Sequence, residues 1–348
     1  MSTWIDTAIE FIKNQRIEHC HYDRAVAQVF SAAAVAKPGE VVVMVGPSRV
    51  GKSSAVAEAL LRAARPIPHM HSCMPTVWVE AENASTDGKF STKAFMRQCC
   101  QSIEHPIYGV SHNDDSQGVR MEQRIQRTPE ALLRNAFERG LVNQATKYFV
   151  IDEAHHVAYA GSRGNGAVAI LDSWKCLAQK TGIILVLVGS YSLLDIMSLT
   201  PHLLGRQRPI EFPAYRAEDK SDRRAFRQVL QTYDSLLRFE EREQSLLAWT
   251  DYLLEQSFGC VGHLSIWLRS ALGRLQARNG EAFSVDALRE SQLPANQAHA
   301  IVAEMQRGAR SISLAEQQIS EAINTPKKSG TRAPFQRATK RFALDGRA

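Results

Sequence analysis

The sequence predicts a three-layer α/β domain built on a parallel sheet, followed by a small all-α subdomain and a basic C-terminal tail. Two observations lead there. The runs Val41 to Val45 and Ile183 to Val188 are apolar without alternation, as strands covered by helices on both faces are. Around them, short strand-like runs alternate with stretches of helical period, the pattern of βαβ units, and after Pro213 only the helical period remains.

Each element follows from its spacing. Trp4, Ile5, Ala8, Ile9 and Ile12, then Ala25, Val26, Val29 and Phe30, recur at three and four residues and predict two helices within residues 1–36. Residues 37–213 then read as strand 40–45, helix 53–64, strand 76–80, helices 92–103 and 129–139, strand 148–151, helix 168–180 and strand 183–188. The polar, unpatterned stretch 108–127 predicts a long surface loop available for interactions. Apolar clusters at 226–237, 246–258, 264–275 and 285–293 define a helical lid over residues 214–323. Trp174 and Trp267 sit among apolar neighbours at helical spacing and are expected in the core.

Composition narrows the class. The chain has 348 residues, 44% apolar and 22% charged, which is the profile of a folded globular protein and excludes a disordered or collagen-like chain. No apolar run approaches the ~20 residues of a membrane helix. Residues 1–13 carry Asp6 and Glu10 and lack the basic start of a secretory signal, so a cytoplasmic protein is expected. Six scattered cysteines, two of them adjacent (Cys99 and Cys100), fit a reducing compartment. His19-Cys20-His21 and His69 to Cys73 lack the paired spacing of a structural zinc site. The formal net charge of +6 resides in residues 324–348, where seven cations (Lys327, Lys328, Arg332, Arg337, Lys340, Arg341 and Arg347) face Asp345 alone. With Pro326, Gly330, Pro334 and Gly346, this segment reads as a flexible basic arm for phosphate or an acidic partner.

The most specific signal is Gly46-Pro47-Ser48-Arg49-Val50-Gly51-Lys52-Ser53, followed by Ser54. It matches G-x-x-x-x-G-K-[ST] and lies between a strand and a helix, the context in which its glycines let successive N–H groups cradle phosphates. Lys52 adds a point charge toward the β and γ phosphates, and the Ser53 hydroxyl is a ligand for Mg²⁺. Tyr148 to Ile151 is an apolar strand ending in Asp152 and Glu153. Asp152 is placed to hold Mg²⁺ through water, and Glu153 to polarise an attacking water as general base. The strand 183–188 ends in Gly189-Ser190, where Ser190 would contact the γ phosphate from between the other two strands. Arg206 and Arg208 follow on a loop, and either could enter a neighbouring subunit's site as an arginine finger.

The order of these motifs, ahead of a helical subdomain containing Gly262-His263-Leu264-Ser265-Ile266-Trp267-Leu268-Arg269, resembles an AAA+ ATPase. The Asp152 to His156 segment (DEAHH), the Val188-Gly189-Ser190-Tyr191 turn and the Arg206 to Pro213 stretch look like the TnsC/TniB group of transposition regulators, over about residues 15 to 290. The resemblance implies an ATPase that uses ATP and Mg²⁺. It also implies a homo-oligomeric ring or helical filament on double-stranded DNA, with backbone contacts and little sequence preference. That assembly would recruit a transposase and a target-selection protein of the TniQ/TnsD type, with ATP hydrolysis driving disassembly. Such proteins often carry a sensor arginine in a Gly-x-x-Arg pattern. Here Arg269 follows Gly262 at a longer spacing, and its role stays open. Lys89, Lys93 and Arg97 form a candidate basic patch for DNA, or else a solvated face. The nucleotide motifs equally suit a replication-type loader or a secretion-system ATPase. A DEAH helicase is disfavoured, because the C-terminal half shows no second strand-helix alternation.

Overall fold

The most apolar segments become the strands, and the sheet they form decides where the polar strand ends meet. The computed structural model describes residues 4–14, 17–64, 73–83, 88–109, 116–160, 166–199, 209–239 and 245–324. Strands β1 (Val41–Val45), β2 (Thr76–Glu80), β3 (Tyr148–Asp152), β4 (Ile184–Gly189) and β5 (Ile210–Glu211) make one parallel sheet in the order β2-β3-β4-β1-β5. Every residue of β1, β3 and β4 is buried, as unbroken apolar runs in a two-sided sheet require. The order seats β4 between β1 and β3, so all three carboxyl ends share one edge.

The helices of this part are α1 (Trp4–Asn14), α2 (Cys20–Val35), α3 (Lys52–Ala63), α4 (Thr92–Ser102), α5 (Ser116–Arg127), α6 (Glu130–Asn143), α7 (Gly166–Thr181) and α8 (Ser192–Ser198). The small residues of α2 and α3, among them Ala25, Ala33, Ala55 and Ala59, let the two pack closely in one cluster with Met44, Val186 and Phe212. Trp174 is buried against Phe90 and Phe95, and Trp267 is buried in the helical subdomain. No described helix is long and apolar enough to cross a membrane.

The helical subdomain contains α9 (Lys220–Asp234), α10 (Thr250–Gln256), α11 (Val261–Ala277) and α12 (Val285–Glu290). Phe226, Leu230, Leu253, Leu264, Leu268 and Phe283 form its core. A last helix, α13 (Ala295–Asn324), follows. By compactness the chain divides into Met1–Gly308 and Ala309–Ala348. The basic tail from residue 325 lies outside the described residues.

Four features differ from the sequence reading. The stretch 116–127, expected as loop, is helix α5. Its Gln, Arg, Glu and Met residues favour helix, Ile125 supplies a buried anchor, and residues 110–115 lie outside the described residues. Strand β5 has only two residues, too few for any periodicity to register. Helix α13 extends well past the predicted apolar clusters. The two N-terminal helices also part company. Ile5, Ala8 and Ile12 of α1 join the helical subdomain's core, whereas α2 packs on the sheet side.

One buried polar contact ties these layers together. His21 on α2 places Nε2 3.0 Å from Asp222 Oδ1 on α9 and Nδ1 3.3 Å from the Pro213 carbonyl, with its ring stacked on Tyr215. The second oxygen of Asp222 accepts a hydrogen bond from the Arg216 N–H at 2.9 Å. Removing the carboxylate strands both donors in a buried site, so Asp222→Ala should lower unfolding stability by about 2–4 kcal/mol. A urea titration of the full chain checks this, and an unchanged midpoint would refute the contact's structural weight.

Candidate nucleotide site

The phosphate loop is shaped by places where no side chain fits. A Cβ on Gly46 would lie 2.3 Å from the carbonyl oxygen of Phe212, whose own N–H is bonded to Val45 O at 2.8 Å. On the other flank the Gly262 N–H donates to Arg49 O at 3.1 Å, and a Cβ there would lie 2.2 Å from that oxygen. Arg49 takes up the strain with φ 63°, and Gly51, at φ 110°, turns the chain into α3. The N-cap of α3 is Gly51, which has no side chain to cap the first turn, so the helix start is suited to an anion. The Gly262 segment singled out in the sequence therefore braces the loop.

Lys52 is buried and folds back on the loop, its Nζ donating to Gly46 O at 3.1 Å and Pro47 O at 2.8 Å. Burial pushes its pKa down, while Glu153, Glu304 and Asp152 hold it up. At the end of β3, Asp152 is buried and takes a hydrogen bond from the Ser53 side chain and another from the Glu153 N–H at 2.9 Å. Its pKa is raised, chiefly by burial. Ser53 and Asp152 thus already touch and present hard oxygen donors of the kind Mg²⁺ selects. Opposite Asp152 in the register stands Glu80, whose pKa is also raised, first by desolvation and then by Asp152.

Glu153 leaves the strand in the left-handed region, φ 49°, and its Oε2 lies 3.2 Å from His155 Nδ1. The same Nδ1 lies 3.4 Å from the Ser190 N–H at the end of β4, so one imidazole touches both strand ends. Ser190 is buried, and its Oγ is 2.8 Å from that of Ser192. Lys52, Ser53, Asp152, Glu153 and Ser190, predicted separately from sequence, therefore converge on one edge.

Other candidates fall elsewhere. Arg206 and Arg208 lie outside the described residues. Arg269 lies beside Tyr233 within the helical subdomain. His263 is held neutral, its pKa lowered to about 4 by burial and by Arg49. Lys93 and Arg97 do share a face of α4, but that face carries α5: Lys93 Nζ donates to Gln126 O at 2.6 Å and Arg97 pairs with Glu122. From sequence, His155 and His156 are expected to pack or to couple to the nucleotide state, with no contact assigned; the contacts of His155 with Glu153 and the Ser190 backbone come from the fold. Sequence reasoning missed Glu304, whose only signal was a glycine, Gly308, within a helical stretch.

Burial lowers the His155 pKa from 6.5 to about 4, with His156 and Lys52 adding to it. The unfolded chain accepts a proton that the folded one refuses, so this residue makes stability fall as pH drops through that interval. Urea midpoints taken near pH 7 and near pH 5 should therefore differ less in His155→Asn than in the wild type. Equal differences would show that His155 titrates normally.

Comparison with known proteins bears on the fold. Residues 36–197 match the family described as AAA domain. The ORC2 protein of Aeropyrum pernix, in its ADPNP-ADP complexes, is 14% identical with a TM-score of 0.53, over 92% of this chain and 86% of that one. The ORC1 protein of the same organism, in complex with DNA, is 15% identical with a TM-score of 0.57, over 82% and 67%. Cdc6p from Pyrobaculum aerophilum is 12% identical with a TM-score of 0.53, over 82% and 70%. No curated protein matches the chain. At such identities the likeness is one of architecture, and the architecture is the α/β AAA+ fold, with residues 36–197 corresponding to its AAA domain.

Proposed function

We propose that this chain is an ATPase that assembles on double-stranded DNA and regulates transposition by recruiting a transposase. The observation that carries the ATPase part is the convergence of Lys52, Ser53, Asp152, Glu153 and Ser190 at the ends of three adjacent strands, beside an uncapped helix start. The backbone from Gly46 to Ser54 would cradle the phosphates of ATP, with Lys52 supplying charge. Ser53 and Asp152 would hold Mg²⁺, which neutralises charge on the transferring phosphate. Glu153, less buried than Asp152, orients and deprotonates water, and Ser190 reads the terminal phosphate. Arg206 or Arg208 of a neighbouring copy would complete the site.

The DNA part is supported by α5. Arg120, Arg124 and Arg127 are exposed at i, i+4 and i+7, a basic stripe spaced for backbone phosphates, which position without reading sequence. The ORC1 neighbour was solved in complex with DNA. The transposition part rests on the resemblance of the DEAHH segment, the Val188 to Tyr191 turn and the Arg206 to Pro213 stretch to the TnsC/TniB group. In that reading ATP binding builds a ring or filament, hydrolysis dismantles it, and a TniQ/TnsD-type protein selects the target. A replication-type loader is the second reading, favoured by the extent of the ORC2 likeness. Stimulation of a transposase, as against loading of a helicase onto DNA, separates the two.

Electron microscopy of the protein on random-sequence duplex, with ATP or a non-hydrolysable analogue, should show rings or filaments that Lys52→Ala abolishes. Glu153→Gln should keep nucleotide binding and assembly while slowing phosphate release by roughly 10²–10³-fold. A monomer indifferent to DNA in every nucleotide state would refute the DNA reading. Replacing Arg120, Arg124 and Arg127 together by Gln should weaken duplex binding for all sequences. It should also reduce the slope of log affinity against log salt by up to about 3.

A further inference from the structure

Helix α13 brings a carboxylate into the phosphate site. Residues 295–308 belong to the same compact unit as the sheet. Met305 packs against the cluster that contains Val50 of the loop and Phe212. One turn on, Gly308 lies so near Tyr191 that a Cβ would fall 2.1 Å from the ring. Tyr191 is itself fixed, its hydroxyl donating to Glu211 Oε1 at 2.8 Å. The helix is thus seated at residues 305 and 308, and Glu304 is the residue this seating turns inward.

The Glu304 carboxylate is hydrogen-bonded by Ser190 and interacts with Lys52 and, repulsively, with Glu153. Its Oε1 is buried without a hydrogen-bond partner. A half-buried, half-satisfied carboxylate is costly to keep, and of its three favourable neighbours, Lys52, Arg307 and Ser190, the first and last are the residues assigned to the terminal phosphate of ATP. A carboxylate and a phosphate carry the same sign and cannot both occupy that place.

We infer that the segment 295–308 is a built-in occupant of the nucleotide site, with Glu304 standing where the terminal phosphate would bind, so that ATP displaces the helix whereas ADP leaves it seated. The inference rests on the nucleotide reading above. It makes helix release a signal of the triphosphate state and gives assembly a switch within the chain itself.

Hydrogen exchange of the full chain tests it, with no nucleotide, with ADP and with a non-hydrolysable ATP analogue. Amides of residues 300–308 should exchange faster with the analogue but not with ADP. Affinities from a fluorescent-nucleotide titration should move in step. Glu304→Gln and Gly308→Leu, the second of which levers the helix off Tyr191 without changing charge, should each tighten analogue binding on the order of 10-fold and leave ADP nearly unchanged. Analogue binding weakened in Glu304→Gln would make Glu304 part of the nucleotide site and overturn the inference. So would equal affinities in all three proteins with the 300–308 amides equally protected, and in both cases the ATPase reading survives. Failure of the wild type and both variants to bind any nucleotide would sink both.

Discussion

The structure depends on a wedge of backbone. The phosphate loop is held between the carbonyl of Phe212 and the first turn of α11, and at both contacts the partner glycine approaches more closely than a Cβ permits. These are main-chain contacts, so they fix the loop without relying on any side chain's rotamer. They also make the segment from Phe212 to Tyr215 a shared wall. Phe212 pairs with β1, and Tyr215 N–H bonds to Gly259 O just before α11. The helical subdomain is thereby docked on the loop through backbone geometry, and the site forms only once both parts have folded.

Charge then finishes what the backbone begins. Lys52 is buried with two carbonyls as its direct partners; burial pulls its pKa down, and three carboxylates within electrostatic reach oppose that pull. Burial raises the pKa values of Asp152 and Glu304, and the nearby Glu153 carboxylate adds to it. The edge of the sheet is a compressed set of like charges around one cation, an arrangement that gains from an added divalent ion and resists an added anion alone. The neutral His155 sits across this set, touching Glu153 and the Ser190 backbone, so a displacement at one strand end reaches the other through a single ring.

The elements that the sequence made legible are those whose physics is local. The unbroken apolar strands, the glycine pair ahead of Lys52 and the acid pair after Ile151 each carry their signal within a few residues, and each lies where expected. What escaped depends on distance along the chain. Nothing near Ile210 announces a two-residue strand, because its pairing is with Met44 and Val45. Helix α5 buries little, so its amphipathic signal was swamped by polar residues, and Lys93 and Arg97 looked like a surface patch because their partners lie on that unseen helix. Glu304 is an ordinary glutamate in an ordinary helical stretch, and only the fold brings it to Ser190.

The parting of the first two helices has a mechanical consequence. Trp4 donates from its indole to Glu281 O at 3.0 Å and lies under Arg238, while Ile5, Ala8 and Ile12 are sunk in the helical subdomain. Helix α2, a few residues later, is bound to α3 and hence to the phosphate loop's own helix. A pull on the N-terminus is therefore delivered first to the subdomain that braces the loop and only afterwards to the sheet. Whatever is fused or bound at that end holds a handle on the brace, and helix α1 acts as a strut between load and site.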